Sequence, residues 1–169
     1  MLKALSADGP AADRADAMML YGQFVGSWDI AVTEYRADGS TQKRRGEWHF
    51  DWVLEGRAIE DVFIVPPRNA RKDVPLTGNR YGATMRVFDP ASGLWRIVWF
   101  NPVTCAFDVM LGRRIGDEIV QNGCNPDGTP FRWIFSDVTD RSFHWRAETS
   151  PDGGQNWTLI VEFHATRAE

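Results

Sequence analysis

Residues 46–65 read GEWHFDWVLEGRAIEDVFIV, and the alternation in this stretch decides the fold. Trp48, Phe50 and Trp52 alternate with Glu47, His49 and Asp51, the period-two pattern of a half-buried strand. Glu55-Gly56 supplies a turn, and across it Phe63, Asp61 and Ile59 meet the three aromatics, so the stretch folds as a hairpin. The same rhythm runs outward in both directions. Turn signals at Ala37-Asp38-Gly39, Asp89-Pro90-Ala91-Ser92-Gly93, Gly116-Asp117, Pro126-Asp127-Gly128 and Asp152-Gly153-Gly154 separate runs rich in Val, Ile, Phe, Trp and Thr. Strands are expected at approximately 28–36, 43–54, 57–65, 79–89, 94–101, 105–115, 118–124, 130–138, 141–150 and 155–165. Such a meander closes most simply into an antiparallel barrel. A barrel of this size is either filled by its own side chains or holds one small ligand.

Ahead of the first strand, Ala15, Met18, Tyr21, Gly22 and Val25 recur at helical spacing, which predicts a short amphipathic helix within 11–25, stopped by Gly26. Residues 1–10 are expected as a flexible tail and 11–169 as one domain. The stretch from Pro66 to Gly78 is the one long loop, of the kind that forms portals or lids. Apolar residues make up 43% and charged residues 25%, enough for a folded core and too few charges for disorder. A net charge of −4 argues against a nucleic-acid partner, which would need a basic patch. The first ten residues are too polar for a signal peptide, and no run approaches the ~20 apolar residues of a bilayer span, so a cytoplasmic protein without a membrane partner is expected. Cys105 and Cys124 fall too far apart across the Gly116-Asp117 turn to bridge, and without clustered histidines they make a poor zinc site. Two free thiols and no metal are expected.

A helix, then Gly26-Ser27-Trp28 opening the first strand, then an up-and-down meander resembles the calycin group: lipocalins, fatty-acid-binding proteins and the haem-binding nitrobindins. Gly46–Val65 and Tyr81–Asn101 are also similar to bacterial lipocalin-like proteins. The resemblance implies an all-β, antiparallel, lipocalin-like or fatty-acid-binding-protein-like barrel of about ten strands with a short N-terminal helix. It also implies that Trp28 packs across the barrel floor beneath an arginine near the last strand, here Arg167. The second lipocalin signature, Thr-Asp-Tyr before a later strand, is absent. His164 on the last strand is similar in place to the proximal haem ligand of nitrobindins.

Chaining hairpin registers asks which side chains share a face. Pairing about Gly116-Asp117 sets Val109, Leu111 and Arg113 opposite Cys124, Asn122 and Val120. Continuing forward, this face collects Phe131, Trp133 and Phe135, then His144, Arg146 and Glu148, then Trp157, Leu159 and Val161. Continuing backward, it collects Phe100, Val98, Arg96 and Leu94, then Val87, Met85, Ala83 and Tyr81. The face is the more apolar of the two and is therefore assigned to the interior. The opposite face takes Asp108, Arg114, Gln121, Arg132, Thr158, Glu162 and His164, which points His164 away from a haem pocket, so no cofactor is expected. For the strand over 141–150 the alternative facing puts Phe143, Trp145 and Ala147 inside instead.

This register gives a lumen in which Asp61, Tyr81, Arg96, Asn122, His144, Arg146 and Glu148 stand among aromatics such as Trp52 and Trp133. The first functional reading is binding of a small apolar or amphipathic molecule, its polar head held by Arg146, Arg96 or His144. The alternative is a cofactor-free isomerase, cyclase or hydratase with His144 or Glu148 as acid–base and Arg146 stabilising an oxyanion. His49, Asp51 and Glu60 belong to the outer face. No Gly-x-Ser-x-Gly, phosphate loop, His-Glu-x-x-His or EF-hand pattern occurs. The same register leaves Trp95, Ile97 and Trp99 outside with Phe88 and Trp145, a patch too large for a monomer, so a twofold homodimer packed there is expected.

Overall fold

The computed structural model describes residues 2–72, 74–75 and 79–169. Each run between turn signals is a strand: β1 (Gly26–Tyr35), β2 (Thr41–Val53), β3 (Ala58–Val65), β4 (Arg80–Asp89) and β5 (Leu94–Asn101), then β6 (Ala106–Ile115), β7 (Glu118–Cys124), β8 (Pro130–Ser136), β9 (Ser142–Thr149) and β10 (Thr158–Arg167). Each pairs antiparallel with its sequence neighbours, and β10 returns to pair with β1, so the up-and-down barrel is closed and has no free edge. The β6–β7 hairpin shows how locally the register is set. Gly116 takes φ +60°, which a two-residue turn demands, and Ile115 then pairs with Glu118.

A helical turn, α1 (Leu2–Leu5), and a helix, α2 (Ala15–Gly22), precede the barrel. Residues expected as a tail instead run beside the β2–β3 hairpin, because their backbone groups find partners there: Ala7 N–H donates to Trp52 O at 2.9 Å and Ala11 N–H to Gly56 O at 3.0 Å. Helix α2 plugs one barrel end. Met18, Tyr21 and the following Phe24 are fully buried, with Tyr21 edge-on to Trp95 at 4.8 Å and Phe24 against Phe135 at 4.7 Å. The floor around Gly26-Ser27-Trp28 is built as the resemblance implies. Trp28 Nε1 donates to Phe24 O at 2.7 Å, and the Arg167 guanidinium lies 4.1 Å over the indole. Arg167 also donates to Val25 O, Gln23 O and Asp140 O, tying the last strand to the helix–strand elbow. Gly26 sits at φ +124°, and a Cβ there would lie 2.7 Å from Arg167 Nη1, so glycine is required on two counts.

The expected pairings of Leu111 with Asn122 and of Arg113 with Val120 are present, and Val87 pairs with Arg96 and Val98 with Val109, so residues expected to share a face within β4–β7 do share one. Their facing is reversed. Cys124 pairs with Pro130 rather than Phe131, and Ser136, not Phe135, pairs with His144 after Asp137 turns at φ +52°. Each one-residue shift exchanges the two faces of whatever lies beyond it. A bulge at Ile160 adds a third, turning Leu159 outward and Val161 inward. The barrel therefore buries Trp48, Phe50 and Phe63 as expected, but also Thr84, Arg86, Trp95, Ile97, Gln121, Phe143, Trp145 and Ala147. The aromatic patch on which the homodimer was argued lies inside. Outside stand Val87, Phe100, Phe107, Val109 and Leu111, each 38–61% exposed.

Candidate functional site

Inside the barrel, toward the end opposite α2, a cavity of about 200 Å³ remains. Its floor is a buried polar cluster. Asp61 on β3 accepts from Trp48 Nε1 at 2.7 Å, from Thr84 Oγ1 at 3.2 Å and from Arg86 Nη1. Arg86 also donates from Nε to Gln121 Oε1 at 3.1 Å and lies 5.0 Å over the Tyr21 ring and 5.7 Å over Phe50. Neither charged side chain is more than 1% exposed. Burial pushes the Asp61 carboxyl above its ordinary range, and the guanidinium with the indole and threonine donors pulls it back. Asp61 and Arg86 are thus paired in the core rather than free reactive groups, while Gln121 Nε2 and Tyr21 OH are buried without a partner among the described residues.

The wall is aromatic. Phe63 and Trp99 stack at 6.2 Å, Trp133 meets both Trp99 and Trp145 edge-on at 5.5 Å, and Trp145 packs on Phe163 at 4.5 Å. Gly82 makes room for this wall, since a Cβ there would come within 2.4 Å of Trp99 Nε1. Trp99 Nε1 and Trp145 Nε1 are buried donors with no hydrogen-bond partner among the described residues. At the rim, Arg80 and Arg44 both donate to Glu34, at 3.2 and 2.6 Å. Burial lowers the pKa of Arg80, and Glu34 opposes it. Asp108, across from Trp99 on β6, lines the cavity without an ion-pair partner among the described residues, and burial raises its carboxyl. The arginines of the lumen are thus committed to carboxylates, while Asp108 and two indole N–H groups are not.

Of the residues expected in the lumen, Trp133 lines the cavity and Asp61 lies beneath it. Trp52 faces inward but packs against Gly22 of α2 at the closed end. The others face outward, for the register reasons given above. Tyr81 lies under Arg71, Arg96 pairs with Asp89 at 2.9 Å in solvent, and Asn122 is exposed. His144, Arg146 and Glu148 form an ion-pair ladder on the outer sheet: Arg146 to Glu118 at 2.8 Å and to Glu148 at 3.0 Å, Arg132 to Glu148 at 2.6 Å, and His144 to Glu162 at 2.9 Å. Only Glu148 reaches the cavity rim. Trp157 lies outside too, 4.1 Å from the Arg132 guanidinium. The acid–base pair and anion-holding cations of the sequence reading are therefore not in the lumen. Thr84, Arg86, Trp99 and Asp108 were missed as lumen residues, whereas Trp145 is inside as the alternative facing of its strand has it. Glycines at 82, 112 and 123 share their face and carried the available signal, because small residues facing inward open space for bulky side chains, here Trp99, Tyr21 and Phe131. The long loop expected as a lid lies partly outside the described residues; its described part holds a short helical turn at Arg68–Ala70.

A closed ten-strand up-and-down barrel, floored by Gly-x-Trp and plugged by an N-terminal helix, is a lipocalin-like fold. Among solved structures the chain is similar to an S-type phycobiliprotein lyase, CPES, from Guillardia theta, with a TM-score of 0.62 and 8% identity over 95% of this chain and 99% of that one. It is also similar to Rv2717c from M. tuberculosis, with a TM-score of 0.61 and 13% identity over 92% and 99% of the two chains. At such identities the likeness is one of fold. No protein-family model and no curated protein sequence matches the chain.

Proposed function

We propose that the barrel binds one small aromatic molecule, neutral or weakly basic, in its lumen. The observation that carries this is the cavity of about 200 Å³ walled by Phe63, Trp99, Trp133, Trp145 and Phe163. A dry cavity of roughly 150 Å³ takes a single benzene ring, so this lumen suits one or two rings rather than a long acyl chain. Asp108 on the wall disfavours a carboxylate head and favours a basic nitrogen. Support comes from the lumen itself; the lyase activity named for the similar barrel is not carried over by fold alone.

Titration of tryptophan emission with isoquinoline, quinoline, 2-naphthoate and palmitate tests the reading. Isoquinoline and quinoline should bind saturably at one per chain, 2-naphthoate more weakly and palmitate least. Ala147→Phe, which fills the cavity from β9, should abolish quinoline binding while retaining the wild-type circular dichroism. Failure of every ring compound to bind, or equal binding to the filled variant, would refute it.

A further inference from the structure

On the outer surface of β9 and β10, away from the lumen, two of the three histidines of the chain meet one carboxylate. His144 and His164 are directly opposite across the antiparallel pair, and Glu162 precedes His164 by two residues on the same face. The imidazoles stack at 4.5 Å with 11° between their planes. His144 Nε2 lies 2.9 Å from Glu162 Oε2, and His164 Nε2 lies 3.8 Å from the same oxygen. One candidate donor atom from each of the three residues falls within 4.8 Å of the others. We propose that His144, Glu162 and His164 form a surface site for a divalent transition-metal ion of the Zn²⁺, Ni²⁺ or Cu²⁺ class.

The spacing fits. Ligand bonds of about 2.0–2.2 Å in a tetrahedron set donor atoms roughly 3.3–3.5 Å apart, between the two separations already present. Closing the set takes small side-chain rotations on a rigid sheet rather than a backbone movement. The ligands are also held from behind. Tyr35 OH donates to Glu162 Oε1 at 2.5 Å, and Ser136 Oγ lies 3.4 Å from His144 Nδ1. These contacts leave Glu162 Oε2 and His144 Nε2 for the ion, the usual division between a ligand atom and its orienting partner. His164 is 63% exposed at its side chain and the other two are 18% exposed, so the fourth coordination position opens to solvent. That is the pattern of a three-ligand site with one exchangeable position, not of a closed structural one.

The surroundings choose among metals. Arg146 sits opposite Glu162, and Lys43 and Arg45 border the adjoining groove, so the site offers little net negative charge. Affinity must come from two imidazoles. That favours the nitrogen-seeking transition ions over Ca²⁺ and Mg²⁺, which need oxygen-rich, anionic shells.

The test uses the full chain in a Cys105→Ser/Cys124→Ser background, because both thiols are exposed and would bind zinc themselves. After chelator treatment, Zn²⁺ is titrated calorimetrically, and Co²⁺ is followed by its visible absorption. One equivalent should bind, with Co²⁺ giving the intense bands of a four-coordinate site. His164→Ala, a change at an exposed side chain, should weaken binding by at least ~10-fold with unchanged melting, as should Glu162→Gln. His49→Ala, at the third histidine, should leave the isotherm unchanged. Zn²⁺ binding that is undetectable, or indistinguishable between the parent and His164→Ala, or lost on His49→Ala, would overturn the assignment.

Discussion

Removing Arg86 should be among the most damaging single substitutions in the barrel. The guanidinium is 1% exposed, donates to Asp61 and to Gln121, and lies over the rings of Tyr21, Phe50 and Phe135. In Arg86→Met the apolar stem is largely replaced, but Asp61 keeps only the Trp48 indole and the Thr84 hydroxyl as donors. Two neutral hydrogen bonds do not compensate a buried carboxylate, and breaking such a pair from one side costs about 3–5 kcal/mol. Removing both charges, as in Asp61→Leu/Arg86→Met, should bring stability back to within about 1–2 kcal/mol of the parent, leaving a coupling of at least ~2 kcal/mol. Urea unfolding followed by tryptophan emission measures the parent, both single variants and the double variant. The pH dependence separates lost charge from lost packing. Burial already raises Asp61, and without Arg86 its folded-state pKa rises further. A raised carboxyl recovers stability as pH falls through its folded pKa, so the deficit of Arg86→Met should be full above that pKa and shrink on acidification. A deficit below about 1 kcal/mol, or one that does not change with pH, would show that the pair is not the support claimed for it.

Four further outcomes are expected. Trp28→Ala removes a fully buried indole, its bond to Phe24 O and the surface on which Arg167 lies, and should cost roughly 3–5 kcal/mol in chemical denaturation. Gly26→Ala should lower the melting temperature and loosen the elbow, because it combines a φ of +124° with a contact against Arg167; an unchanged melt would contradict the floor geometry. Glu47 is held down to about 2 chiefly by its hydrogen bonds with Arg68, so that pair stabilises above pH ~4.5 and its contribution fades as pH falls toward 2. Arg68→Ala should flatten that acid limb by less than about 1 kcal/mol, since Arg68 is largely exposed. His144→Ala should leave binding of ring compounds in the lumen unchanged, because the imidazole lies on the other side of the sheet; a loss measured by emission quenching would place it in the lumen after all.

The barrel, its helix, the Trp28–Arg167 floor and the facing of the 46–65 hairpin were all legible, because each rests on a local signal: alternation, a turn dipeptide, a short motif. The pairing of Leu111 with Asn122 was legible for the same reason, since the Gly116-Asp117 turn sets it. The candidate site was not. Facing must be carried across loops at 125–129 and 137–141, where one residue more or less is invisible in composition yet exchanges inside for outside. The usual corrective, that the more apolar face is the buried one, misled here. Ala83, Met85, Val87, Val98, Phe100, Val109 and Leu111 point outward, while Thr84, Arg86, Asp108 and Gln121 point in. An arginine with its own buried aspartate on the neighbouring strand is read as a surface residue until the pair is seen.

That two-sided apolar character has a consequence for how the chain reaches its native state. A strand with apolar residues on both faces can collapse in either register and still hide an oily surface, so hydrophobic burial alone discriminates poorly between the correct β4–β6 arrangement and one displaced by a residue. The discrimination falls to a few positions: Gly82, Gly112 and Gly123, which admit Trp99, Tyr21 and Phe131, and Arg86, which must find Asp61. Gly112→Val penalises the native alignment, where Tyr21 OH lies 2.5 Å from the added Cβ, and would leave a displaced one untouched. Refolding of that variant should populate a slow, misaligned species, with amide protons of β4–β6 protected last in pulse-labelled hydrogen exchange. The segment that is hardest to orient on paper is then also where nascent molecules compete between two alignments.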